Sequence, residues 1–351
     1  MIVVKRCRLP SALLSIALTA GVAGAAALGR GMPSPKGAAA GARVVLRPKF
    51  AVGQVMRYRI ELQSTSETKR TGVVEDPEGP ARLVVTWDAI VRLEVLAAPS
   101  GAPPSAASAT AFRLRTTYEK SAATVESDTP DPQAENTEKQ YAQLEARSFE
   151  FTMSADGHVS DVHGLEEIVP DDAARTAAQQ WMSQVSAATS APARGIAPGE
   201  TWNTEEPANA LPLAGLVWRT GSTYLRNEPC RPADPSADPS AGNASGAAAA
   251  PAQAGEMCAV ILARLDLAAP HALKDQTPEA YRRGDLHSAG KWTGEGDSLT
   301  YVSLQTGWVV SVTQNASEQM DVTIAHKTGG ALRYAGTVTT RSQLALLPPG
   351  N

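Results

Sequence analysis

The chain has 351 residues and a formal net charge of −4, with 32 basic against 36 acidic side chains. A mildly acidic balance argues against nucleic acid or an anionic membrane surface as a partner. Only four Phe accompany six Trp, so tryptophan must supply much of any bulky packing.

At the N-terminus, Lys5, Arg6 and Arg8 precede an apolar run over 11–20 that leads into small residues. Ala23-Gly24-Ala25 fits a small-x-small cleavage site, so residues 1–25 read as a secretory signal peptide. The alternative is a single membrane anchor, against which the run is short and rich in Ala and Gly. Cys7 lies before the apolar run, so the bacterial lipoprotein attachment cysteine is missing. The expected location is periplasmic or secreted, with membrane contact only through an uncleaved signal segment. Residues 26–46 form a Gly/Ala/Pro leader expected to stay flexible.

Beyond it the apolar period is two. Met56, Tyr58, Ile60 and Leu62 alternate with Arg57, Arg59 and Glu61; Leu83 to Val95 form one long odd-numbered apolar row; Phe112, Leu114, Thr116 and Tyr118 repeat the pattern. Alternation of this kind predicts strands with one wet face. Residues 216–225, 257–267, 299–304, 308–324 and 332–346 continue it, and several runs are long enough to predict coiled antiparallel strands. Low-complexity stretches at 97–110 and 231–255 read as insertions at hairpin tips. Gly294 to Asp297 read as a turn before the strand at Leu299.

One segment departs from this period. Over 171–188, Ala174, Ala177, Ala178, Trp181, Val185 and Ala188 recur at helical steps, with Pro170, Asp171 and Asp172 suited to an N-terminus. The stripe is expected to cover a sheet; a partner-binding helix is the alternative.

Two segments align without a gap: 149–162 and 299–312, each two alternating runs about a polar-Gly turn, Asp156-Gly157 and Thr306-Gly307. Residues 50–56 likewise match 196–202, and Arg92 to Val95 match Arg264 to Leu267. One β unit used twice is the natural reading. It divides the chain into a first repeat at 47–167, a helix and connector at 168–194, and a second repeat at 195–347.

Candidate chemistry is sparse. Cys230 and Cys258 are an even pair in a chain bound for an oxidising compartment, which predicts a disulfide; a metal site or catalytic thiol lacks further ligands or a nearby histidine. His158 and His163, with Asp156 and Asp161, form the one cluster with metal or acid–base character. Strand parity puts the two imidazoles on opposite faces, and the aligned copy carries Trp308 and Ser311 instead of His158 and Asp161. No nucleophile elbow, zinc-binding H-E-x-x-H helix or phosphate-cradling glycine loop occurs, so no catalytic residue, cofactor or metal is assigned. Trp87, Trp202, Trp218, Trp292 and Trp308 lie in or beside strand-like runs, as core residues or as the lining of a ligand-binding sheet.

The opening element at Phe50, Gly53 and Met56, repeated at Ile196, Gly199 and Trp202, with its closing strand-polar-Gly-strand unit, resembles an uncharacterised family of secreted bacterial β-proteins. That resemblance spans 50–347 and brings no established activity. A looser architectural likeness is to the periplasmic lipoprotein carriers, whose curved antiparallel sheet holds an acyl chain.

The expected fold is mainly β, with long antiparallel strands in two related halves forming a curved sheet, open barrel or sandwich. The expected function is a non-enzymatic secreted or periplasmic protein that binds a lipid or other apolar ligand, or an envelope protein. A secreted hydrolase using His158 or His163 and a structural role in envelope assembly are the alternatives.

Overall fold

In a computed structural model, the described residues are 43–72, 81–97, 111–128, 134–168, 182, 185–188, 190–208, 212–230, 255–269 and 273–348. The signal segment, most of the leader, residues 98–110 and 231–254 of the two low-complexity stretches, and residues 171–181 therefore lie outside the described residues.

The fold is mainly β. Five strands belong to the first half: β1 (Val55–Gly72), β2 (Ala81–Leu96), β3 (Ala111–Ser127), β4 (Ser148–Ser154) and β5 (Val159–His163). Six belong to the second: β6 (Thr201–Pro207), β7 (Val217–Pro229), β8 (Met257–Ala268), β9 (Leu286–Ser303), β10 (Val309–His326) and β11 (Ala331–Leu346). All lie in one curved, unclosed antiparallel sheet, in the order β5-β4-β3-β2-β1-β11-β10-β9-β8-β7-β6. Each half is a meander, and β11 returns to pair with both β10 and β1, joining them. Three short helices are described: α1 (Ala134–Ala142), which packs on β3, α2 (Leu165–Ile168) and α3 (Glu279–Arg283).

Alternation decides which face is buried. Met56, Tyr58, Ile60 and Leu62 of β1 and the odd positions from Val85 to Val95 of β2 are buried, while Arg57, Arg59, Asp88 and Arg92 face outward. The outward charges pair across strands, as in Arg59 with Asp88 at 2.7 Å and Arg333 with Asp321 at 2.6 Å. Such exposed pairs contribute little stability, but they keep that face wet. The largest apolar cluster draws on both halves, from Leu46 to Leu344, so the halves share one core.

The glycine-rich stretch at 294–297 is the interior of the 18-residue β9 and does not form a turn. Gly294 lies on the inner face, where an added Cβ would meet Glu318 Cγ at 2.9 Å and Trp218 Cη2 at 3.1 Å. Glycine there makes room for large neighbours, and its lack of apolar alternation hides the strand. The helical stripe also ends early. Met182 is helical and buried, but Val185 is in a turn and Ser186 forms a β-bridge with Trp308.

The aligned segments share local geometry. Gly53 N–H donates to Val95 O and Gly199 N–H to Tyr224 O, with φ of 81° and 83°. Each opening turn thus docks on the next strand, β2 or β7. Arg92 to Val95 lie in β2, the strand that receives the first turn, whereas Arg264 to Leu267 lie in β8, one strand beyond the one that receives the second. The hairpins β4–β5 and β9–β10 are the fourth and fifth strands of their meanders, and both carry a register shift just after the turn.

The turn at Trp308 gathers distant segments. Trp308 Nε1 donates to Lys49 O at 3.1 Å, its ring meets Phe50 edge-on at 4.5 Å, and Tyr58 Oη donates to Val309 O at 3.0 Å. Gly307 has φ +70°, and a Cβ there would lie 2.0 Å from Arg47 O. Gly199 has φ +83° with nothing within 4 Å. Gly199→Ala should cost about 1–2 kcal/mol for the left-handed backbone alone. Gly307→Ala should cost more, about 3 kcal/mol or above, because the backbone at Arg47 must also move. Urea unfolding of both variants checks the difference.

Cys230 and Cys258 are joined by a disulfide, with Cα atoms 4.9 Å apart. It ties the end of β7 to the start of β8. For a loop of this size, replacing both cysteines by Ser should cost about 3–4 kcal/mol, read as a fall in the denaturation midpoint.

Candidate functional site

Cross-strand register arranges the inward side chains in rows across the sheet. Between Trp87 on β2 and Trp202 on β6 runs the row Leu62, Ser342, Gln314, Ser298, Ala263 and Ser222. The next row is Ser64, Thr340, Ala316, Gly296, Leu265 and Thr220. Ser64, Ser222, Ser298, Gln314 and Thr220 are all buried. A band of small and hydroxyl-bearing side chains therefore crosses the inner face, with large apolar groups on both sides of it.

The five tryptophans divide between those sides. Trp87, Trp202 and Trp308 belong to the large cluster, and Trp218 and Trp292 to a second cluster with Leu213, Leu216, Leu267 and Met320. All five are buried. Trp87 donates to Ser121 Oγ at 3.0 Å and packs beside Tyr118 and Tyr141. Trp202 differs, because its Nε1 is buried with no hydrogen-bond partner among the described residues. Thr204 Oγ1, at the next inward position of β6, is in the same state. Thr116 Oγ1 on β3 and Ser288 Oγ on β9 are likewise buried without a partner, so the feature is not confined to β6.

Beyond the hydroxyl band, one row reads Val338, Glu318, Gly294, Leu267, Trp218 and Glu206. Both glutamates are buried. Trp292 Nε1 donates to Glu318 Oε2 at 2.7 Å. Trp218 reaches over Gly294 to the spot that Glu318 also borders, and it lies directly opposite Glu206. Burial pushes the Glu318 carboxyl above its ordinary value, partly offset by the Trp292 N–H. From the hydroxyl band to the Trp292–Met320 pair, Glu206 and Glu318 are the ionisable inward groups among the described residues. The first inward cation on β1 is Arg70, at its far end and exposed, over the Tyr334 ring. Sequence reading found these tryptophans but passed over Glu206 and Glu318. Alternation alone could have placed Glu318 with Met320 and Val322, yet the register across four strands, β10 to β7, was needed to set it in one row with Trp218.

The histidines sit elsewhere. A bulge in β5, where Asp161 has φ +48°, sets Ser160 opposite Thr152 but His163 opposite Glu150. The extra residue reverses the parity, so His158 and His163 share the outer face rather than taking opposite ones. Both are exposed. Glu150 is engaged by Arg113 at 3.1 Å and Arg115 at 2.8 Å, and Asp156 accepts from Ser154 Oγ. Among the described residues no group of three or more His, Cys, Asp and Glu is placed to hold a metal ion, and no helix is long and apolar enough to cross a membrane.

No family model matches the chain, and no curated protein matches it. Among solved structures it is similar to lipovitellin, described for its lipid–protein interactions, at a TM-score of 0.43 and 11% identity. That match covers 86% of this chain and 26% of the lipovitellin chain, so this chain spans about a quarter of its length. An outer-membrane channel from Pseudomonas putida F1 matches at a TM-score of 0.18 and 8% identity, over 86% of this chain and 98% of that one. OpdQ of Pseudomonas aeruginosa matches at 0.20 and 7%, over 85% and 100%. At these scores no property of those proteins is carried to this chain.

Glu318 makes a pH-dependent contribution with a defined sign. Its folded-state value is raised, so its contribution is favourable below the unfolded carboxylate range and is lost as the pH climbs through the folded value. Glu318→Gln, which keeps an acceptor for Trp292, should therefore raise the melting temperature at neutral pH. The gain over wild type should vanish in acid. Thermal unfolding of both proteins from acidic to neutral pH measures it.

Proposed function

We propose that this protein is a non-enzymatic secreted or periplasmic carrier that binds an apolar or amphipathic ligand along the inner face of its curved sheet. The observation that carries the reading is the hydroxyl-rich band between two tryptophan-bearing apolar clusters, flanked by the unpartnered Trp202 Nε1. A core built only for stability is filled to crystal-like density with large apolar side chains in complementary rotamers. Rows of Ser, Thr, Ala and Gly at the middle of strands this long carry little apolar side-chain volume, which supports an occupant with both apolar and polar parts. The Cys230–Cys258 disulfide fits an oxidising compartment, in line with a signal peptide at 1–25. The same reading takes 47–167 and 195–347 as two uses of one β unit, supported by their matching opening turns.

Native mass spectrometry of protein purified from its own periplasm, with solvent extraction of bound material, tests the proposal. A stoichiometric small amphiphile is the expected result. Repeated recovery of ligand-free protein that also takes up no added amphiphile overturns it. Ser298→Leu, which places a larger side chain in the middle of the band, should lower bound ligand several-fold while leaving the far-ultraviolet circular dichroism unchanged.

A further inference from the structure

One indole on the inner face lacks what three of its neighbours have. Trp87, Trp292 and Trp308 each donate from Nε1, to Ser121 Oγ at 3.0 Å, Glu318 Oε2 at 2.7 Å and Lys49 O at 3.1 Å. Trp202 is 9% exposed, and its Nε1 finds no acceptor among the described residues. It is the only nitrogen among their buried side-chain atoms in that state, whereas Thr116 and Ser288 present hydroxyls. A hydroxyl rotates and both donates and accepts, so a small shift can satisfy it. An indole N–H is a donor only and is fixed in the ring plane. Burying it unmet is costly.

Trp202 stands at the β6 end of the hydroxyl band. Ser222 lies opposite it on β7, and Thr204, the next inward residue of β6, lies opposite Thr220. Thr204 Oγ1 is also buried without a partner among the described residues. This end of the band therefore carries one fixed donor and three hydroxyls. Over 201–207 and 217–225 the only Lys or Arg is Arg219, which is exposed and paired with Glu205 at 2.9 Å on the outer face.

We propose that Trp202 Nε1 donates to a neutral carbonyl oxygen of the ligand, the ester or amide of an acyl chain, with the Thr204 hydroxyl bonding the same polar head. The chain lies against the large apolar cluster to which Trp202 belongs. This deepens the carrier reading and rests on the inner face being ligand-binding. A carbonyl oxygen supplies the acceptor that Nε1 lacks and brings no charge to bury. A carboxylate or phosphate head would meet no inward cation on these strands, so its desolvation would go uncompensated. A quaternary ammonium head has no acceptor and would leave Nε1 unmet.

The test uses three amphiphiles of one chain length below their micellar concentrations: monododecanoylglycerol, dodecanoate and dodecyltrimethylammonium. Binding is read by titration calorimetry, and the assigned indole N–H resonances by nitrogen-edited NMR. Saturation with the monoacylglycerol should move the Trp202 N–H downfield, while those of Trp87, Trp292 and Trp308, which keep their own acceptors, move far less. Trp202→Phe, which keeps a ring but removes the donor, should weaken monoacylglycerol binding about fivefold to tenfold, the loss of one buried hydrogen bond, and leave the ammonium unchanged. Thr204→Val gives the same comparison if that variant folds poorly, and the NMR arm needs no variant. A Trp202 N–H that is unmoved by bound monoacylglycerol, including one already downfield through an internal water, overturns the carbonyl assignment and leaves the carrier reading standing. Equal losses for ester and ammonium, or tightest binding of dodecanoate, do the same. Binding of none of the three overturns both.

Discussion

The structure depends on one strand pairing. β11, the last strand, lies antiparallel against β1, the first, from Tyr58 opposite Leu346 to Gly72 opposite Leu332. Without that ladder the chain would be two meanders with separate faces and two more open edges. With it, eleven strands share one inner face and one large core cluster. The pairing is between segments almost the whole chain apart, so its loop-closure entropy must be met by everything that folds between them. The Trp308 turn reinforces the closure, since the N-terminal segment, the connector at Val185 and Ser186, and Tyr58 all meet there.

Once the face is continuous, side-chain volume along it decides what it can do. At one end Phe149, Phe151, Leu93 and Trp308 pack as a conventional core. Toward the other, Trp218 and Trp292 are again large, but two of the groups they touch or oppose are carboxylates. Between them the rows thin to Ser, Thr, Ala and Gly. The same Gly294 that interrupts the sequence pattern of β9 leaves a spot that both Trp218 and Glu318 border.

Legibility varied by element for physical reasons. β1, β2 and the first part of β3 were readable because one face is uniformly wet, which imposes period two. The start of β9 was not, because Gly290, Gly294 and Gly296 remove the apolar signal from inward positions. The helical stripe continues through Val185 and Ala188 in sequence, but there the backbone is used for a bridge to Trp308, so tertiary pairing overrode local propensity. The histidine parity failed for another reason: a bulge inserts one residue, and parity cannot be counted across it. Short amphipathic strands look alike, so Arg92 to Val95 in β2 could be matched to a stretch of β8, whereas the two opening turns each carry a glycine at positive φ.

By itself the sequence determined the β class, the long amphipathic strands, the disulfide and the tryptophans, since each follows from local alternation or residue chemistry. Only the tertiary structure decided that the two halves share one sheet, that both histidines face outward, and that Glu206 and Glu318 share a row with Trp218. Those are consequences of register between strands far apart in the chain. Register depends on bulges, glycines and the closing pair β1–β11, which act between strands and leave little mark on any one of them.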